Sequence, residues 1–119
     1  MRIILTILLL INLLYPQSFG QNKVQYESFD WEYIVSPNTN IYYYGDNKDL
    51  AIFTSKVAER SIEQIGKHLR WRSNKPIKII VYTSHNDFQQ TNVVNVYMSE
   101  GVGGVTELYK NRIVIPFEG

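Results

Sequence analysis

The sequence predicts an α+β fold, a mixed β-sheet with one long amphipathic helix packed on one face. Three observations predict it. Several short runs rich in aromatic and β-branched residues read as strands. The stretch 48–69 repeats apolar residues at three- and four-residue steps, as a helix does. The order β-β-α-β-short α-β-β puts a helix between strands 40–44 and 77–82, so these are predicted parallel with a right-handed crossover.

The elements follow in order. Residues 21–28 read as a polar lead-in. In 29–35 (FDWEYIV), Phe29, Trp31, Tyr33 and Val35 alternate with Asp30 and Glu32, the period of a half-buried strand. Ser36-Pro37-Asn38 is turn chemistry, and Asn40 to Tyr44 forms a second strand. Gly45 ends it, and Asp46 or Asn47 can cap the helix that follows. Leu50, Phe53, Val57, Ser61, Ile65 and Leu69 make the apolar stripe of that helix, with Ala58 and Ile62 beside it. Glu63 and Lys67 are four apart in the favourable order, and Lys67, His68 and Arg70 place positive charge at the helix C-terminus.

Asn74-Lys75-Pro76 is the next turn, and 77–82 (IKIIVY) is an apolar strand predicted to be central. Ser84, with Asp87 three residues on, resembles a capping box and opens a short helix over 85–90. Residues 92–104, with Asn92, Asn95, Gly101, Gly103 and Gly104, read as an irregular loop. Strands 105–109 and 112–117 close the chain as an antiparallel hairpin, with Lys110-Asn111 as its two-residue turn.

Composition bounds the chemistry. The chain has 119 residues, no cysteine, and 12 basic against 11 acidic side chains. That suits one modest domain. It excludes a disulfide scaffold, a thiolate-bound metal and a cysteine nucleophile. A net charge of +1 offers little to a phosphate backbone, so a nucleic-acid partner is not expected. Met1-Arg2, the apolar run 3–14 and Ser18-Phe19-Gly20 have the charged, apolar, small-residue order of a signal peptide, with cleavage expected before Gln21. The apolar run is about a dozen residues, short of the roughly 20 needed to span a bilayer, so no stable anchor is expected after cleavage. Removing residues 1–20 leaves 11 basic and 11 acidic residues, a formally neutral exported chain.

Few side chains form a chemical constellation. His68 and His85 are seventeen residues apart, without the spacing of a metal pair. His68 reads most simply as a helix-end cation, and His85 as an exposed residue of the capping turn, or a polar group near a cleft mouth that nothing nearby completes into a constellation; Asp87 is a separate polar candidate. Ser84 and Ser99 lack a nucleophile elbow. The Gly101-x-Gly103-Gly104 cluster precedes a strand, where a phosphate loop precedes a helix. Glu100 and Glu107 could pair as carboxylates, though solvated loop charges are the commoner use. Trp31, Tyr33 and the run Tyr42-Tyr43-Tyr44 could form a sugar-binding platform or simply fill the sheet.

Three stretches together carry a resemblance. They are Phe29-Asp30-Trp31 with Asn40 to Tyr44, then Ile79 to Asn92 (IIVYTSHNDFQQTN), then Gly103 to Glu107 with Asn111 to Phe117. The pattern resembles the start of secreted bacterial proteins with a gluzincin-type (peptidase MA-like) metallopeptidase domain joined to a TolB-like β-propeller, and it covers most of residues 29–119. The resemblance implies the sheet-bearing N-terminal subdomain of gluzincins. It implies zinc held by a downstream His-Glu-x-x-His helix, whose glutamate is the general base. That motif is absent from the sequence, so no catalytic or metal residue is carried over, and zinc is expected only with a downstream part. Gly103, Gly104, Val105 and Thr106 correspond to the strand that lines the gluzincin cleft and pairs with extended peptide; Glu107 is the neighbouring polar candidate. The chain is therefore expected to be an exported, inactive N-terminal fragment whose partner is an extended peptide or the rest of its own chain. The alternative is a complete, non-catalytic exported peptide- or glycan-binding module.

Overall fold

The computed structural model describes residues 23–94 and 96–117. The signal peptide expected over 1–20, together with Asn95, Glu118 and Gly119, lies outside the described residues. Five strands form one sheet: β1 (Trp31–Val35), β2 (Thr39–Tyr44), β3 (Ile77–Tyr82), β4 (Val105–Glu107) and β5 (Arg112–Pro116). Their order is β1-β2-β3-β5-β4. The β1–β2 and β4–β5 pairs are antiparallel, and β2–β3 and β3–β5 are parallel. Helix α1 (Lys48–Leu69) joins β2 to β3, and the short α2 (His85–Gln89) follows β3. The fold is α+β, with β3 central as predicted.

Alternation along the strands divides the core in two. On one face Ile41, Tyr43, Ile79 and Val81 are buried with Ala51 of α1, and Ile113 and Ile115 pack beside them. On the other face Tyr44, Tyr82 and Val114 are buried with Phe88 of α2 and Met98 of the long loop. Phe29 packs there too, its ring 4.3 Å from that of Tyr44.

Helix α1 keeps its predicted bounds but not its predicted stripe. The residues it buries are Ala51, Thr54 and Ser55, with Leu50 and Ala58 partly covered. Phe53, Val57, Ile65 and Leu69 are exposed, Phe53 by 57%. Two causes account for this. Small side chains let the helix lie close to β2. A 22-residue helix is about 33 Å long, whereas a six-residue strand is about 20 Å, so the last turns overhang the sheet. Hydrogen bonds set the approach. Ser36 and Ser55 hydroxyls meet at 2.5 Å, and Asn38 and Thr39 donate three bonds to the Glu59 carboxylate at 2.8–2.9 Å. Glu63 and Lys67 pair at 2.7 Å on the exposed side.

Smaller corrections follow from local geometry. Strand β1 begins at Trp31 and not at Phe29, and β2 begins one residue early at Thr39. Asn47 occupies the cap position of α1, but its side-chain amide donates to the Tyr44 carbonyl at 2.8 Å. Ser84 caps α2 as predicted, accepting from the Asp87 amide at 3.1 Å, and α2 ends at Gln89. The predicted strand 105–109 ends at Glu107, and Leu108–Lys110 forms a 3-10 turn. The hairpin is thus longer than two residues. Asn111 does take positive φ, at 51°. The last strand ends at Pro116, and the Phe117 amide donates to the Tyr82 carbonyl at 2.7 Å.

Candidate functional site

The stretch Thr83 to Gln90 is hydrogen-bonded to three other segments, at Tyr26–Glu27, Tyr44 and Met98. The Tyr44 hydroxyl donates to the Asp87 carboxylate and accepts from the Thr83 amide at 3.0 Å. Burial first, and then the Asp87 carboxylate, raise the pKa of the Tyr44 phenol, which keeps it a donor. The Gln89 amide oxygen accepts from Met98 N at 2.8 Å, and its NH2 donates to Met98 O and to His85 Nε2. Gln90 accepts from the amides of Tyr26 and Glu27, at 2.9 and 3.0 Å. Thus α2 fastens both the loop over 91–104 and the lead-in to the sheet.

This assigns the two polar candidates of that stretch. His85 was expected to be exposed; it is buried, because α2 lies against the loop and Gln89 binds the ring. Asp87 holds Tyr44. Glu107, the third candidate, grips Lys110 at 2.9 Å and forks onto the Arg112 guanidinium. The lysine bond, foremost, holds the Glu107 carboxyl below its ordinary pKa. Each of these three side chains is held by hydrogen bonds within the chain. Among the described residues no three His, Cys, Asp or Glu side chains come together as a group that could hold a metal ion.

The four edge candidates do lie together. Val105 and Thr106 belong to β4, the terminal strand of the sheet on the β5 side. One side of β4 pairs with β5, in the register Val105 with Val114 and Thr106 with Ile113. The other side has no neighbouring strand among the described residues. Gly104 enters the strand at φ 154°, and a Cβ there would meet the Val114 carbonyl at 3.0 Å. Gly103 is exposed, and a Cβ there would meet nothing within 4 Å. One glycine is therefore required by the chain's own backbone, and the other leaves open space beside the edge.

A second surface lies on the sheet face away from α1. Trp31 and Tyr33 of β1 and Tyr42 of β2 share that face with Ile80. Tyr33 is 62% exposed and Trp31 40%. The rings of Tyr33 and Tyr42 stack, centroids 5.6 Å apart and 29° from parallel. Trp31 stands edge-on to Tyr44 and Tyr82 at 5.1 and 5.5 Å. Gln25, Asn92, Lys110 and Arg112 rim the resulting groove. The sequence showed these aromatics without deciding whether they were buried. It gave no signal for Gln89, Gln90 or Arg112 as organisers, because their roles depend on contacts distant in the chain.

Comparison with family models, curated proteins and solved structures returned no match.

Proposed function

We propose that this chain is the exported sheet-bearing part of a gluzincin-type, zinc-metallopeptidase-like domain, of the kind joined to a TolB-like β-propeller, and that β4 receives an extended peptide. The observation that carries the reading is the position of β4. Val105–Glu107 is a short antiparallel edge strand with one side unpaired among the described residues and an open glycine before it. Such an edge supplies backbone donors and acceptors for strand addition, and alternate side chains then select the peptide. The chain's described residues carry no catalytic group in this reading. Zinc and the general-base glutamate belong to a downstream His-Glu-x-x-His helix.

A further feature supports it. The apolar residues Phe53 and Val57 of α1 are exposed, and Ile113 and Ile115 of β5 are only partly covered on the same face of the sheet, which leaves room for another helix. Among the described residues no helix is long and apolar enough to cross a membrane. Export by the N-terminal signal, cleaved before Gln21, places the domain outside the cytoplasm. The test is the coding DNA beyond the Gly119 codon. A His-Glu-x-x-His run in frame within a few dozen codons is the expected result. A stop codon there, with no such run, would sink the reading.

The second reading, a complete non-catalytic exported binding module, draws on a different observation: the exposed Trp31 and Tyr33 beside half-buried Tyr42.

A further inference from the structure

We infer that the open sheet face binds an acidic oligosaccharide, with Trp31, Tyr33 and Tyr42 stacking on its sugar rings and Lys78, Lys110 and Arg112 facing its carboxylates. The inference develops the second reading, and its failure leaves the β4 reading standing.

The aromatic floor comes first. Strand β1 is an edge strand, so Trp31 and Tyr33 have no sheet neighbour on one flank. Loop 91–94 and the lead-in cover the top of this face, where Tyr44 and Tyr82 are buried, but they leave Tyr33 exposed and Tyr42 half-buried. Tyr33 stacks on Tyr42 with one ring face, and as an exposed residue of an edge strand it keeps its outer, electron-rich face open. A sugar ring offers polarised C–H groups to that face while its hydroxyls stay in reach of water and of amides. Gln25 and Asn92 supply such amides at the rim.

Charge narrows the ligand. The strand register sets Asn40, Lys78 and Arg112 side by side below the aromatic row. Lys78 and Lys110 are exposed, and Arg112 is half-buried. Among the described residues the carboxylate beside them is Glu107, already bonded to both Lys110 and Arg112. Three cations against one anion leave this end of the groove net positive, which favours uronic-acid units over neutral sugars. An exposed aromatic face next to cations also suits a single strand of nucleic acid, so that ligand serves as a competitor in the test.

The experiment uses the full chain, secreted by an exporting host and purified. Oligogalacturonate, neutral cellopentaose and an oligothymidylate are titrated by calorimetry at low and physiological salt. Oligogalacturonate should bind at least tenfold more tightly than either competitor, and more weakly as salt screens the cations. Tyr33→Ala should weaken it about tenfold, the size of one lost aromatic contact. Lys78→Glu should weaken oligogalacturonate but not cellopentaose. If Tyr33→Ala perturbs folding, as seen by circular dichroism, the exposed Lys78 variant carries the test. No binding of oligogalacturonate by the folded chain, equal binding of cellopentaose, or tighter binding of oligothymidylate overturns the inference. So does self-association that Tyr33→Ala abolishes, since the face would then belong to a second copy.

Discussion

Glu59 shows how one side chain places a helix on a sheet. It leaves α1 toward the β1–β2 turn and receives three hydrogen bonds from Asn38 and Thr39. Burial alone would push its carboxyl pKa up, but the hydrogen bonds from Asn38 and Thr39 outweigh that and the net shift is downward. A carboxyl held below its unfolded value, about 4.3 for glutamate, stabilises the fold above that pH. The contribution is lost as pH falls through the lowered folded value. Glu59→Ala should therefore cost about 2–3 kcal/mol at neutral pH, as three donors lose a charged acceptor. Urea midpoints of parent and variant should draw together as the pH falls below the ordinary glutamate value of about 4.3; a variant that matches the parent at neutral pH would refute the role. Tyr44→Phe makes a parallel case. It leaves the half-buried Asp87 carboxylate without its phenol donor and should lower stability by about 1–3 kcal/mol in the same assay. Neither link was legible in the sequence. Glu59 fell on a helix position with no distinguishing pattern, and Asp87 looked like a partner for Ser84 because the capping spacing is local, while Tyr44 lies 43 residues away.

At the scale of elements, what the sequence showed and what it hid divide by the range of the interactions. Strand positions to within two residues, the bounds of α1, the Ser84 cap and the positive φ of Asn111 depend on neighbours within a few residues, and these were readable. The buried side of α1 was not. Helical periodicity reports that an apolar stripe exists, but here a polar and small-residue strip made of Ala51, Thr54 and Ser55 meets the sheet. The candidate edge was readable as a strand after glycines, though its place at the end of the sheet depends on pairing with β5. Two glycines test the elements directly. Gly66 lies within α1, where alanine ordinarily gains about 1 kcal/mol. A Cβ at Gly66, however, would meet the Trp71 carbonyl at 2.8 Å, where the chain folds back after the helix. Gly66→Ala should lower stability by about 1–3 kcal/mol through overpacking; a raised thermal midpoint would contradict this contact. Gly104→Ala combines a strained φ of 154° with a 3.0 Å approach to Val114 O. It should loosen β4 specifically, seen as faster amide exchange at Val105 and Thr106 with α1 unchanged.

For the molecule as a whole, the two sheet faces are both only partly covered. The face away from α1 keeps its aromatic row open, and the face under α1 keeps a bare strip on the β5 side. Wheel geometry at about 100° per residue sets Phe53 and Val57 nearly opposite Ser55 and Glu59, which bind the β1–β2 turn. The exposed apolar side of α1 therefore points away from that turn. Phe53 is 57% and Val57 48% exposed, one helical turn apart on the same side of α1. Replacing both, Phe53→Glu with Val57→Glu, separates two uses of that surface. In this chain alone the pair of substitutions should leave the unfolding free energy within about 0.5 kcal/mol of the parent, because neither side chain is in the core. It should also reduce association measured by sedimentation velocity across a concentration series. In a longer chain that carries a downstream helix seated against α1, the same substitutions should destabilise by about 2–4 kcal/mol, since two charges would then be buried without partners. Equal, small effects in both chains would show that nothing seats on this side of α1, and would remove one of the supports for the peptidase-like reading while leaving the β4 edge to be judged by its own test.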